Sequence, residues 1–211
     1  MATLEAHGLQ CTRGERVLFS HLSLRVESGG GVYVAGENGA GKTSLLRILC
    51  GLHAPTAGHV TWNGTAIGAQ RETFGGDLVY IGHPNGIKDD LTAVENLHFS
   101  AACAGRAAPR ANIDTALEAF GLASRAHLPT RVLSQGQKRR VALARLLLSA
   151  EAPLWILDEP FTALDVHGVA ALRAIVEAHL ARGGLAVFTT HQEVPLAAKI
   201  ARLELVAEPL A

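Results

Sequence analysis

No charge of one sign prevails in this sequence. Lys+Arg and Asp+Glu each number 19 in 211 residues, for a formal net charge of zero. Nucleic-acid binders more often carry a basic excess, so the balance argues against DNA or RNA as the main partner. Cysteine is sparse and odd in number: Cys11, Cys50 and Cys103 stand far apart with no C-x-x-C pair. That excludes a disulfide framework and a zinc ribbon, and fits the reduced, mostly structural thiols of a cytosolic protein. No run approaches ~18 consecutive apolar residues, so no transmembrane segment is expected. Met1 to Glu5 lacks the apolar core of a secretion signal. Internal repeats and low-complexity linkers are missing as well. What is present is 48% hydrophobic, enough for one substantial domain over 1–211 with a well-filled core.

The most informative stretch is Gly36-Glu37-Asn38-Gly39-Ala40-Gly41-Lys42-Thr43, which fits G-x-x-x-x-G-K-[ST], a phosphate-binding loop. Val32 to Ala35 before it reads as a buried strand, and Ser44 to Leu49 after it as a helix. Glycines let such a loop turn tightly and bring its amides up to phosphates, where the helix dipole adds positive charge. Lys42 then reaches the β- and γ-phosphates and the Thr43 hydroxyl reaches Mg²⁺. A nucleotide site follows.

Elsewhere Leu4–Leu9, Val17–Phe19 and Leu22–Val26 read as short strands. His59–Trp62, Asn63-Gly64 and Thr65–Ile67 form a hairpin with a type I′ turn. An antiparallel N-terminal sheet is expected beside the nucleotide core. Leu78–Ile81 is a further strand, followed by a Gly/Pro/Asn-rich loop over 82–90. From about 91 to 140 the pattern is helical, with Thr92 and Glu95 as a capping box and Asn112 as a second cap. A helix from Gly136 to about Ser149 precedes Leu154–Leu157, an apolar run typical of a strand buried on both faces. Asp165 caps a helix to Ala181, and strands follow at Leu185–Thr190 and Leu203–Val206.

Asp158 and Glu159 close the Leu154–Leu157 strand. A carboxylate there, beside the phosphate loop, can hold Mg²⁺, usually through water. On an extended backbone Glu159 points the opposite way, towards an attacking water. Lys138-Arg139-Arg140 reads as a solvated face.

In this order, Gly36–Ser44, Ser134-Gln135-Gly136-Gln137, Leu157–Pro160, Ala163-Leu164-Asp165 and His191 resemble the motifs of ATP-binding cassette (ABC) ATPases across essentially the whole chain. The resemblance implies an α/β fold of the P-loop NTPase class. A RecA-like parallel-sheet core carries an N-terminal antiparallel β subdomain and a helical insert. It implies ATP and Mg²⁺ as ligands, Thr43 and Asp158 on the metal, and Glu159 as the base. His191 then contacts the γ-phosphate, while Ser134 and Gly136 act on ATP held by a second copy in a homodimer. Two positions depart from the family. His83 stands where a glutamine is usual, and an imidazole accepts a hydrogen bond only when neutral. Arg13 stands where an aromatic stacks on adenine, and a guanidinium plane can stack there instead.

Ile81-Gly82-His83, Gly86-Ile87-Lys88, Leu91-Thr92-Ala93, Glu95-Asn96-Leu97 and Leu157–Ala163 resemble one branch, the ATPase subunit of haem export in bacterial cytochrome c maturation. That branch implies membrane-spanning partners (CcmB/CcmC-like) and a peripheral place on the cytoplasmic face of the inner membrane. The alternatives are a generic ABC exporter ATPase and a soluble ABC ATPase of iron–sulfur or other complex assembly.

Overall fold

A computed structural model of the chain describes residues 1–106, 108–190 and 194–206. Two sheets organise it. The first is antiparallel, in the order β2-β1-β4-β5, from β1 (Thr3–Arg13), β2 (Arg16–Glu27), β4 (Ala57–Trp62) and β5 (Thr65–Ala66). β2 is one long strand where sequence pattern suggests two short ones. His21, with φ 50°, sits at a register irregularity that interrupts the alternation without ending the strand. The Asn63-Gly64 turn has φ of 52° and 79°, the type I′ signature expected of that pair.

The second sheet runs β6-β7-β8-β3-β9, and its paired neighbours are parallel. It comprises β3 (Gly30–Gly36), β6 (Leu78–Ile81), β7 (Leu154–Leu157), β8 (Leu185–Thr189) and β9 (Lys199–Leu205). β7 and β8 are buried throughout, which is why they read as unbroken apolar runs. Their side chains alternate between two cores. Leu154, Ile156, Leu185 and Val187 face α1 (Lys42–Leu49) and the antiparallel sheet. Trp155, Leu157, Ala186 and Phe188 face the helical layer.

That layer holds α3 (Ala93–Cys103), α4 (Arg110–Ala119), α5 (Gln135–Leu148) and α6 (Val166–Ala181). Thr92 and Glu95 form the expected reciprocal cap on α3, and Asp165 caps α6 through the Gly168 amide at 2.8 Å. The cap assigned to Asn112 is corrected: α4 begins at Arg110 behind Pro109, whose fixed φ suits a helix entry. A short helix, α2 (Arg71–Asp77), lies where the sequence shows no periodicity. Buried Asn96 ties the loop after β6 to α3. Its side chain accepts from the Lys88 amide at 2.7 Å and donates to the Lys88 and Leu91 carbonyls.

Behind the sheet, the fully buried His179 stacks on Trp155, with ring centroids 3.7 Å apart. Its Nε2 lies 3.1 Å from the Leu185 carbonyl and its Nδ1 3.1 Å from Arg182 Nη2. The neutral Nε2–H tautomer satisfies both contacts, since Nδ1 then accepts from the guanidinium. Burial pushes its pKa down to about 4. An unfolded chain protonates this group near ~6.5, so stability is lost as pH falls from that value towards 4. Thermal unfolding at pH 7 and pH 5 is expected to show a larger drop for the wild type than for His179→Gln. Equal drops would mean that His179 does not carry the acid sensitivity.

Candidate functional site

Four of the five parallel strands deliver the candidate residues at their carboxyl ends, the usual place for a ligand on an open α/β sheet. β3 runs into the phosphate loop, where Gly39 and Gly41 take φ of 83° and 100° that other residues rarely adopt. No side chain caps α1 at Gly41, so the first-turn amides and the helix dipole are turned to whatever anion lies there. Lys42 is buried and donates to the Gly36 carbonyl at 2.6 Å and the Glu37 carbonyl at 3.1 Å. Its ammonium is held over the loop by the loop's own backbone.

β7 delivers Asp158, 2% exposed. Thr43 Oγ1 donates to its Oδ2 at 2.8 Å, and Thr189 Oγ1, at the end of β8, donates to its Oδ1 at 2.9 Å. A carboxylate and a threonine hydroxyl side by side are hard oxygen donors of the kind Mg²⁺ takes. The donor set fits that ion. Thr189 was not singled out by sequence reasoning, and only the approach of β8 to β7 brings it to the carboxylate.

Glu159 corrects an expectation. Its backbone is not extended: φ is 50°, in the left-handed region. Thr189 Oγ1 accepts from its amide at 2.8 Å. Glu159, only 9% exposed, lines the same cavity as Asp158. That cavity measures about 380 Å³ and is lined by Arg13, Leu18 and His83 as well as by the loop residues Asn38, Gly39 and Gly41 to Ser44. The two departures from the family pattern therefore both face it. Gly36, Glu37 and Ala40 belong to the loop but do not line the cavity.

Ser134 and Gly136 lie apart from this cavity, at the start of α5. Ser134 caps the helix: its hydroxyl accepts from the Gln137 amide at 3.2 Å, while the Gln137 side chain accepts from the Ser134 amide at 2.9 Å. Ser134 is exposed. Arg139 overturns the reading of 138–140 as a solvated face. It is 4% exposed and bonded to carbonyl oxygens at the ends of β6 and β7. A run of cations beside a helix start carries no sign of such burial. His191 lies outside the described residues.

A parallel sheet ending in a phosphate loop and an acidic pair is common to many nucleotide enzymes. The antiparallel sheet in front of it, and a helical layer that leads to a serine-capped, glycine-bearing helix, narrow the class to ABC-type ATPases. The family model described as ABC transporter matches residues 19–162, and the chain belongs to that family. It is 50% identical, over 97% of its own length and all of the relative's, to the "Cytochrome c biogenesis ATP-binding export protein CcmA" of Nitrosospira multiformis. Among solved structures, an ATP-binding subunit of an ABC transporter superposes with a TM-score of 0.79 at 28% identity, covering 89% of this chain and 79% of that one. A dimeric ATP-binding cassette bound to ADP and Pi superposes with a TM-score of 0.79 at 23% identity, covering 90% and 88%.

Proposed function

We propose that this chain is the ATP-hydrolysing subunit of an ABC transporter complex for cytochrome c biogenesis, and that the complex drives haem export, or haem release to a haem chaperone. The hydrolytic part rests on one observation above all: Thr43, Asp158, Thr189 and Glu159 converge by 2.8–2.9 Å hydrogen bonds at the mouth of a phosphate loop. The biogenesis part rests on the CcmA relative matched over nearly the whole chain.

In this reading residues 1–211 form one ATPase domain, with a helical subdomain at about 91–140. Lys42 exchanges its bonds to the Gly36 and Glu37 carbonyls for phosphate oxygens. The amides of Glu37 to Ser44 cradle the rest of the chain of phosphates, and Gly36 lets β3 end where the loop must begin. Thr43 and Asp158 hold Mg²⁺, which when bound neutralises charge developing on the γ-phosphoryl group. Glu159 accepts a proton from the attacking water. His83 and His191 contact the γ-phosphate or that water, and the Arg13 guanidinium stacks on the adenine. Ser134 and Gly136 complete the site of a second copy, as in an ATP-sandwich homodimer. A dimeric cassette with the same fold supports that arrangement.

Among the described residues no helix is long and apolar enough to cross a membrane. Membrane-spanning partners of the CcmB/CcmC kind would therefore hold this subunit on the cytoplasmic face of the inner membrane. Co-expression with those partners is expected to move the chain into the membrane fraction, and a pull-down should retain them. A chain that stays soluble under those conditions would instead be a soluble ABC ATPase of complex assembly.

A further inference from the structure

Arg139 joins three segments that the proposed reaction uses, and no role in it has been assigned to this side chain. It sits on α5, three residues past Gly136, with its guanidinium buried. Nη1 donates to the Gly82 carbonyl at 3.0 Å and to Asn85 Oδ1 at 3.2 Å, on the loop that carries His83. Nη2 donates to the carbonyls of Asp158 and Glu159, both at 2.8 Å. Those two carbonyls converge on one nitrogen because the chain turns through the left-handed conformation at Glu159. Such a conformation in a residue with a long side chain is held only when its surroundings over-determine it. Here they do. Thr189 fixes the Glu159 amide from one side and Arg139 fixes its carbonyl from the other.

We propose that Arg139 is a positioning residue for ATP hydrolysis: its planar fork sets the backbone turn that aims Glu159 and locks it to the His83 loop and to α5. The proposal rests on Glu159 being the base. The fork matters more than the charge, since two acceptor pairs on separate segments must be met from one plane. A lysine supplies the charge at a single point and cannot span them. Burial lowers the pKa of the guanidinium, and the charges of Asp158 and Glu159 act in the opposite sense.

The test uses the full chain under single-turnover conditions with Mg²⁺ and ATP, and reads the hydrolysis rate and the ATP Kd separately. Arg139→Gln and Arg139→Lys are both expected to lower the rate roughly 10–100-fold, the scale set by small misplacements of a catalytic group. ATP Kd should be unchanged, because the phosphate loop is untouched. A lysine variant as fast as the wild type would overturn the proposal. In a Glu159→Gln background, Arg139→Gln should add no further loss, as expected of residues acting through one step. The same fold-loss in both backgrounds would make Arg139 independent of Glu159 and end the idea. Full turnover in Glu159→Gln alone would instead remove the base assignment beneath it. Should both arginine variants fail to fold, Asn85→Ala loosens only the Nη1 arm. It is expected to slow hydrolysis at unchanged Kd; because Gly82 still accepts from Nη1 there, an unaltered rate would overturn the claim that the Asn85 contact helps to position Glu159.

Discussion

Glu159→Gln is expected to bind ATP as the wild type does and to hydrolyse it ~10²–10⁴-fold more slowly, the usual cost of losing a general base. The geometry makes this substitution clean. The turn at Glu159 is held through its amide by Thr189 and through its carbonyl by Arg139. A glutamine keeps both bonds and the side chain's shape. What it loses is the capacity to take a proton. The Thr162 hydroxyl, 3.4 Å from Glu159 Oε2, has an oxygen acceptor in either variant. Lys42, Thr43 and Asp158 are untouched, so affinity for the nucleotide stays. With ATP persisting, the proposed sandwich should accumulate and run as a dimer in size-exclusion chromatography with ATP and Mg²⁺. Turnover within a few-fold of wild type would remove Glu159 as the base. A slow variant that remains monomeric would count against the sandwich.

The phosphate loop, the acidic pair and the serine-capped helix were legible because each is a local pattern with a local cause. A glycine loop needs its glycines wherever it occurs, and a capping box closes over four residues. Buried β7 and β8 announced themselves as apolar runs for the same reason: both faces of each strand meet hydrophobic layers. Features that depend on tertiary approach were not legible. Arg139 stands in a run of cations, and its burial requires carbonyls from β6 and β7 that no window around position 139 contains. Thr189 reads as the end of a strand until β8 lies beside β7. Glu159 misled for a different reason. The residue before a proline is ordinarily pushed to extended backbone, and Pro160 follows it. Here the bonds to Thr189 and Arg139 outweigh that preference. α2 escaped because two of its seven residues are glycines, which erase helical propensity over so short a span.

Gly136→Ala is expected to cut turnover by about 10²-fold, again the scale of a catalytic constellation displaced by about an ångström. Gly136 has ordinary backbone angles, so its role is space. A Cβ built there would fall 2.6 Å from the Ala163 carbonyl oxygen, which is backbone and cannot rotate away. Ala163 is itself held at φ 64°. Two residues on, Asp165 caps α6 and pairs with Arg140 of α5 at 2.9 Å. The start of α5 and the 163–165 turn are thus fastened together with only a hydrogen between them at Gly136. An added methyl must push them apart, moving exposed Ser134, which with Gly136 is proposed to complete the site of the second copy. Helix propensity works the other way, since alanine in place of glycine favours a helix interior by up to ~1 kcal/mol. Overpacking costs roughly 1–3 kcal/mol, which a propensity gain in the first turn of α5 only partly offsets, so melting temperature should fall modestly while activity falls far more. ATP affinity of the isolated chain should also stay, because Gly136 does not line its own nucleotide cavity. Measuring turnover across a range of protein concentrations completes the test. The loss should persist at concentrations that saturate wild-type activity if the fault lies in the completed site. Recovery to the wild-type rate at high concentration would show that the methyl weakens association alone, and an unaltered rate throughout would remove Gly136 from the reaction.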